Sequence, residues 1–301
     1  MHNRTLVATL ACATAMLAAA CSDSTAPSLA DPGSSAAFDA QVSSDIAPSA
    51  GDAIANDYAF YSAADLTGSG ASFAINAAGA RLIDPAGGVS ASLQVAPRAA
   101  AAWISPSCTF DASSGRFSCP PVTKNGQTWS VSYALMDANG VSQSQYDNVT
   151  TASINFVVSD TGAVSFTSNG NTFADTVSRH HDRTVSGLAG APDTVHTWNG
   201  TGTTAITSVR SGQITKVYAM TSADTTTGVR FKQPRDINPY PLSGTVVRDY
   251  TVTRTRFASD TTRRVATRRV VVTFNGTASV PMTIGSDSYL LNLDTHKVTK
   301  Q

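Results

Sequence analysis

The side chains with the clearest capacity for chemistry are His180, His181 and Asp182, three consecutive residues of a predicted strand. Imidazole and carboxylate groups bind metal ions and move protons during hydrolysis. Neighbouring residues of a strand point to opposite faces, so only His180 and Asp182 share a side. A third ligand would have to come from His196, which the expected hairpin places nearer Val185. The spacing therefore favours packed or solvated polar residues over a metal or catalytic site.

Other catalytic patterns are missing from the sequence as well. It contains no glutamate, and no serine stands in the Gly-x-Ser-x-Gly turn that exposes the nucleophile of many hydrolases. It also contains no glycine-rich phosphate loop and no spaced calcium loop of aspartates. We predict no catalytic residue, no metal and no cofactor. The alternative is a hydrolase that uses Asp and His residues of the sheet, which a cleft holding His180, Asp182 and His196 together would favour.

The composition limits both the architecture and the partners. With 301 residues, the chain is long enough for one or two domains, and its hydrophobic fraction of 42% can supply a core. Lys and Arg together number 21, as do the acidic residues, so the formal net charge is zero. Without a global positive field, we predict that nucleic acid is not a partner.

The first residues form an export signal. Arg4 precedes an apolar run at 6–17 that is too short to cross a membrane, and Ala18, Ala19 and Ala20 lead into Cys21. This arrangement resembles the lipobox of bacterial lipoproteins. The resemblance implies removal of residues 1–20, acylation of Cys21 and, from Ser22, delivery to the outer membrane. The alternative is an Ala-x-Ala site for ordinary secretion.

A flexible tether and a helix are predicted to follow Cys21. Residues 21–44 are rich in Ser, Ala, Asp and Pro, which is typical of a tether. A helix is predicted at about 46–62, with Pro48 in its first turn. Its polar face carries Asp52 and Asp57 rather than Lys or Arg, which favours packing on a sheet over a membrane surface. An Ala- and Gly-rich segment completes the unit at 45–104, with weak strand patterns at 73–75 and 92–95.

Two cysteines match in one hairpin register. A four-residue loop at 112–115 pairs Asp111 with Arg116 and places Cys108 opposite Cys119. Directly opposed Cα atoms lie about 4.5–5.5 Å apart, which is within disulfide range. In an exported chain we therefore predict a structural Cys108–Cys119 disulfide.

Residues 105–301 are predicted to form an antiparallel β domain. Runs rich in Thr, Val and aromatic residues alternate with turn sequences, and the predicted strands are 127–136, 141–146, 152–159, 163–168, 172–187, 194–199, 201–209, 213–222, 244–257, 263–274 and 277–284. An irregular loop is predicted at 229–242. The fold class is therefore mainly β, a long meander that curls into a half-barrel or a closed barrel, with one N-terminal helix.

The last hairpins give testable registers. A five-residue loop at 258–262 pairs Val246 with Phe274 and places Asp249 diagonally from Arg269, as an exposed ion pair rather than a catalytic acid. In the next hairpin, the favoured three-residue loop at 274–276 places Val280 opposite Val270. A two-residue loop would reverse the faces.

The first of these hairpins gathers positive charge on one face near its tip, at Arg254, Arg256, Arg264 and Arg268. Such a face is either a solvated tip that prevents edge-to-edge pairing or a site for an anionic envelope polymer or lipid headgroup. We therefore expect an envelope-anchored binding or structural module. Its expected partners are the membrane, through the lipid anchor, and either an apolar ligand between sheet and helix or an anionic envelope polymer.

Overall fold

The computed structural model describes residues 35–65, 72–76, 101–103, 108–124, 126–168, 171–190, 195–212, 215–233, 235, 237–257 and 261–301. Cys21, the signal segment, the strand pattern at 92–95 and the predicted tether up to residue 34 lie outside these ranges. One helix and seventeen strands are present in them: α1 Ser35–Ala63, β1 Ala64–Asp65, β2 Ser72–Asn76, β3 Ala101–Trp103, β4 Thr109–Asp111, β5 Arg116–Ser118, β6 Val122–Lys124, β7 Gln127–Met136, β8 Ser142–Gln143, β9 Ser153–Ser168, β10 Asn171–Ser186, β11 Val195–Ser211, β12 Thr215–Lys232, β13 Ser243–Phe257, β14 Thr262–Thr273, β15 Ser279–Ile284, β16 Asp287–Asn292 and β17 Val298–Lys300.

Fourteen strands form one antiparallel sheet, which confirms the predicted fold class. From β9 to β17 each strand pairs with the next one in the chain, and β9 continues through β7 and β5 to β4. β6 and β8 also pair with β7, while β1, β2 and β3 make a separate small sheet. The large sheet is not closed, since β4 and β17 stand at its opposite edges. The closed alternative of the sequence-based prediction is therefore wrong.

The central strands are longer than the turn sequences predicted. β9 runs through the predicted turn at 160–162, β11 runs through Asn199 and Gly200, and β12 extends to Lys232. Turn-forming residues are accommodated here because each neighbouring strand offers a continuous ladder of partners, as in the pairing of Asp160 with Arg179. Tertiary pairing thus overrides local turn propensity.

Helix α1 lies on the inner face of the sheet and begins earlier than predicted. It starts at Ser35, so residues 35–44 are helical rather than part of the tether, and Pro48 lies in its interior. A proline there removes a backbone hydrogen bond and costs about 3 kcal/mol. Burial of Phe38, Val42 and Ile46 against the core offsets this cost, at about 1.5–3 kcal/mol for each large side chain.

The sheet curls around this helix. Asp52 lies 3.3 Å from His296 in the turn between β16 and β17. Eight residues later, Phe60 packs edge-on against Phe156 of β9, with ring centroids 5.8 Å apart. About 12 Å of helix axis, at 1.5 Å per residue, therefore reaches strands near both ends of the meander. A flat sheet could not make both contacts. In the part of the chain that is described, no helix has the length and apolarity needed to span a membrane.

The observed registers keep the predicted faces but shift along the strands. Val246 pairs with Val272 rather than Phe274, and Val270 pairs with Ile284 rather than Val280. The shifts are two and four residues, so the buried side chains are still the even-numbered ones. Asp249 and Arg269 are directly opposed and form the expected exposed ion pair.

The cysteine hairpin is confirmed in register and in linkage. Phe110 pairs with Phe117, Asp111 pairs with Arg116, and Cys108 and Cys119 form a disulfide with Cα atoms 4.1 Å apart. Closing so short a loop stabilises the fold by roughly 2–3 kcal/mol in the chain-entropy model. The bridge secures the short β4–β5 hairpin, which has few neighbours of its own.

Candidate functional site

The histidines and the aspartate singled out from the sequence do not come together. His180 and Asp182 are exposed on the outer face, where Ser159 is hydrogen-bonded to His180 and Asn155 donates to Asp182. His196 is buried at the start of β11, seven residues before Thr203, the partner of His180. Val185 pairs with Trp198 rather than with His196. Among the described residues, no group of three or more His, Cys, Asp or Glu could hold a metal ion.

The residues next to them in the sequence, on the inner face of the sheet, do come together with other charged residues. His181 and Arg183 of β10 face the helix, together with Asp224 of β12 and Arg248 of β13. Asp57, from the C-terminal half of α1, completes the group. We call these five residues the ionic cluster. Three strands and the helix each contribute to it.

The ionic cluster is closely bonded. Arg248 Nη2 donates to Asp57 Oδ2 at 2.5 Å, and its Nη1 lies 3.4 Å from Asp224 Oδ1. Arg183 Nη2 donates to Asp224 Oδ2 and lies 3.8 Å from Asp57 Oδ2. Each arginine therefore bridges both carboxylates. Asp224 is fully buried, and the two arginine side chains are 2% exposed.

The charges in the cluster balance. Burial alone would raise the pKa of Asp57, but Arg248 and Arg183 hold it below its ordinary value. Burial, reinforced by Arg183 and Arg248, lowers the pKa of His181 to about 4, so the imidazole is neutral at pH 7. Two carboxylates thus face two guanidinium groups. Burial also raises the pKa of Tyr61 and of Tyr250 to about 12, which keeps both phenols protonated.

Gly202 provides the space for this arrangement. It lies on β11 between His181 and Asp224, its partners on the two neighbouring strands. A Cβ atom at this position would stand 2.5 Å from His181 Nδ1 and 2.6 Å from Asp224 Oδ1. Any larger residue would push the cluster apart.

A cavity of about 60 Å³, with a mixed polar and apolar lining, adjoins the cluster between α1 and the sheet. Arg179, Ser222, Asp57 and Arg248 are among its lining residues. Within the described chain, Ser222 Oγ, Arg179 Nη2 and Arg248 Nε are buried without a hydrogen-bond partner. The volume matches that of a few water molecules, and the lining offers them both donors and acceptors. It is too small for a lipid-sized ligand.

A second ion pair and an aromatic group flank the cavity and the cluster. Arg179 donates to Asp160 at 2.9 Å, and burial raises the pKa of Asp160 despite this partner.

On the other side, Tyr61 packs against Trp198 with ring centroids 4.9 Å apart, and its hydroxyl lies 3.0 Å from that of Thr226. The aromatic rings surround the C-terminal end of α1 and seal the cluster from solvent on that side.

The four arginines predicted to share a face do so, and that face is the inner one. Arg254 pairs directly with Arg264 across β13 and β14. The guanidinium of Arg254 lies 5.7 Å from the ring centroid of Phe38, and Arg268 Nε donates to Ser43 Oγ at 3.2 Å. Arg254 and Arg268 therefore stand beside the N-terminal half of α1, and none of the four arginines is fully exposed.

The sequence carries a signal for the ionic cluster that does not take the form of a motif. Arg248 alternates with Val246 and Tyr250, so it occupies a core position of β13. Asp224 stands at a similar core position of β12. A charge at a buried position requires a partner, and searching the other strands and the helix for an opposite charge would have pointed to this group. Asp57 was assigned to a polar helix face instead, and burial of that face is a finding of the tertiary structure.

No protein-family model, no curated protein and no solved structure matches the chain.

Proposed function

We propose that the protein is an exported, lipid-anchored module of the bacterial envelope whose body binds rather than catalyses. The sequence supports the anchor through the small-residue run that ends at Cys21. The observation that carries the non-catalytic role is the mutual neutralisation of Asp57, Asp224, Arg183 and Arg248. Groups that hold one another in this way fasten the helix to the sheet.

The position of α1 fits an anchored module. The helix begins fourteen residues after Cys21 and lies along the inner face of the sheet. Its N-terminal half contacts Arg254 through Phe38 and Arg268 through Ser43. Because Phe38, Val42 and Ile54 cover apolar inner residues, a large apolar ligand would have to displace the helix. This favours an anionic partner over an apolar one.

A hydrolase is the second candidate, because His181 and Asp57 line the cavity between α1 and the sheet. His181 Nδ1 lies 3.2 Å from Arg183 Nη2 and accepts a hydrogen bond from it. The neutral imidazole then carries its proton on Nε2, which makes that atom a donor rather than a general base. Ester or amide hydrolysis by the purified protein that His181→Asn abolishes would favour the enzyme.

The anchor is tested by Cys21→Ser. We expect the variant to lose metabolic labelling by fatty acid and to leave the membrane fraction or to accumulate unprocessed. Cys12→Ser is the matched control, because it removes a cysteine from within the predicted signal segment and should change neither result. Absence of label from the unmodified protein, with unchanged fractionation of Cys21→Ser, would reject lipidation.

A further inference from the structure

Strand β14 is longer than the strand that follows it, so part of its edge stays open. It pairs with β13 from Thr262 to Thr273, but β15 pairs with it only at positions 270–272. The N–H group of Gly285 adds one hydrogen bond to the carbonyl oxygen of Arg269. Within the described chain, residues 262–268 of β14 therefore have no second neighbouring strand. We call these residues the open edge.

The backbone groups of the open edge have a definite direction. The N–H group of Phe274 donates to a carbonyl oxygen of β13, whereas the carbonyl oxygen of Arg269 accepts on the opposite side of the strand. In an antiparallel sheet, the backbone groups of successive residues point alternately to the two neighbouring strands. Even-numbered residues of β14 therefore bond to β13, and Arg263, Val265 and Thr267 direct their N–H and carbonyl groups to the open side.

The open edge is accessible from the outer face of the sheet. Arg263, Val265 and Thr267 have exposed side chains, and Val265 is 50% exposed. By contrast, the terminal strands β4 and β17 have only three residues each. A very short edge strand offers little to another chain, whereas a longer row of unpaired backbone groups is a template for strand addition. The open edge of β14 therefore provides such a template.

The outward-facing side chains limit which segment can pair with the open edge. Arg263 is exposed and has no ion pair among the described residues, while Arg269 is already bonded to Asp249. A second copy of this edge would bring further arginines, and like charges opposed across two strands destabilise a sheet. A segment with a carboxylate opposite Arg263 would gain an ion pair instead. The edge therefore favours an acidic partner over a copy of itself.

We propose that the open edge binds an extended segment of another polypeptide, which adds to the sheet as one more antiparallel strand and carries a carboxylate opposite Arg263. The proposal names the partner class for the binding role proposed above and does not depend on the lipid anchor. Strand addition draws affinity from main-chain hydrogen bonds and specificity from alternate side chains. The segment should therefore place a β-branched residue opposite Val265. Gly285, beside Arg269, limits its length to about 20 Å, at about 3.3 Å per residue.

The test uses the mature chain, residues 21–301, with Cys21→Ser, so that binding is measured without a lipid. The probe is a fluorescently labelled synthetic peptide, Thr-Thr-Thr-Val-Thr-Asp-Thr, whose antiparallel register sets Val opposite Val265 and Asp opposite Arg263. We expect saturable binding, measured by fluorescence anisotropy. A control peptide with Lys in place of Asp should bind at least about threefold more weakly, because it opposes two like charges across the strands.

The specific variant is Val265→Pro, which removes an N–H group from the open side and none from the ladder with β13. Proline is tolerated in an edge strand where the N–H group faces solvent. We expect peptide binding to weaken at least about tenfold, since the proline also obstructs the added strand. The matched control is Val265→Thr, which keeps the N–H group and should change binding by less than about threefold. Both variants must retain the reference circular dichroism spectrum.

A second variant tests the charge without touching the backbone. Arg263→Asp changes an exposed side chain, so the fold should be unaffected. We expect it to reverse the preference between the two peptides, because Lys then faces Asp across the strands. This reversal decides the proposal even where Val265→Pro does not fold.

Three outcomes would overturn the proposed strand addition. They are equal binding of the two peptides to the reference chain, equal binding by Val265→Pro and Val265→Thr, and a peptide preference that Arg263→Asp leaves unchanged. A dimer in sedimentation equilibrium that Val265→Pro converts to a monomer would assign the open edge to a second copy instead. The lipid anchor and the non-catalytic role are decided by the labelling and hydrolysis assays, so failure of peptide binding leaves both standing.

Discussion

Arg248 and Arg254 lie six residues apart on the same face of β13, yet they have opposite surroundings. Arg248 is 1% exposed and stands between Asp57 and Asp224. Arg254 is half-buried and directly faces Arg264. The ionic cluster is therefore neutral at the centre of the inner face, whereas like charges are directly opposed near its end.

The comparison shows two environments of the same residue type on one face of one strand. A charge removed from water is tolerated only with a partner, so the buried arginines must be balanced. A partly exposed arginine keeps contact with water and can stand beside a like charge at a smaller cost. Accordingly, the effect of replacing a charged residue should follow its place in one group or the other.

The largest expected effect is from Asp224→Asn, which leaves two buried arginines with one carboxylate. Breaking a buried pair costs about 3–5 kcal/mol, and we expect a loss of that size in the free energy of unfolding measured with urea. The matched control is Asp249→Asn, which breaks the exposed pair with Arg269. That loss should be about 0–1 kcal/mol. Equal losses in the two variants would show that the ionic cluster does not support the fold.

Acid should weaken the cluster at a pH where surface carboxylates are still charged. His181 has a pKa of about 4 in the folded protein against an ordinary value of 6.5, and His196 has the same shift. The unfolded chain therefore binds protons first, so stability falls as pH drops from 6.5 towards 4. The slope is at most about 1.4 kcal/mol per pH unit for each histidine.

Unfolding measured across that pH range should show a shallower slope for His181→Gln, because of the two buried histidines only His196 then contributes. His180→Gln, on the outer face, serves as the control. Below pH 4 the carboxylate of Asp57 adds to the loss, since its folded pKa lies below the ordinary 3.8 and its contribution disappears as pH falls through that lowered value. A slope unchanged by His181→Gln would mean that His181 titrates normally.

The smallest expected effect has the opposite sign. Arg264→Gln removes a charge directly opposed to Arg254, and we expect unfolding to become harder by about 0.2–1 kcal/mol. Arg263→Gln, its neighbour on the outer face, should stay within about 0.5 kcal/mol of the starting protein. A loss above about 1 kcal/mol in Arg264→Gln would place this arginine among the supporting residues and erase the contrast with Arg248.

Much of the local structure could be predicted from the sequence. The Cys108–Cys119 hairpin was correct in every pair because its two strands are joined by four residues, which leave few other registers. The registers predicted for the β13–β14 and β14–β15 hairpins differ from the observed ones by two and four residues, but the predicted buried face was correct. Side chains along a strand alternate between its two faces, so a shift by an even number of residues keeps the same side chains buried. A shift by an odd number would expose the apolar side chains, which is costly. The sequence therefore specifies the buried face more strongly than the register.

The ionic cluster could not be predicted in the same way. Asp57 and Arg248 are separated by 191 residues, and no motif or spacing connects them. Asp57 looked like the polar side of an amphipathic helix because a carboxylate is normally solvated. Only the sheet, by bringing two arginines under the helix, makes its burial favourable. The four arginines of the last hairpin were predicted to share a face, but Arg210 and Lys216 stand beside them only through pairing with neighbouring strands.

By itself, the sequence determined the fold class, the alternation of faces and the disulfide, because each depends on residue preferences and contacts within one hairpin. The tertiary structure decided how far the strands run, where α1 begins and which charges are buried. Pairing partners extended β9, β11 and β12 through turn-forming residues, and packing against the core carried the helix through Pro48 to Ser35. These features depend on contacts between residues far apart in the chain, whose free energy appears only when the sheet and the helix assemble together.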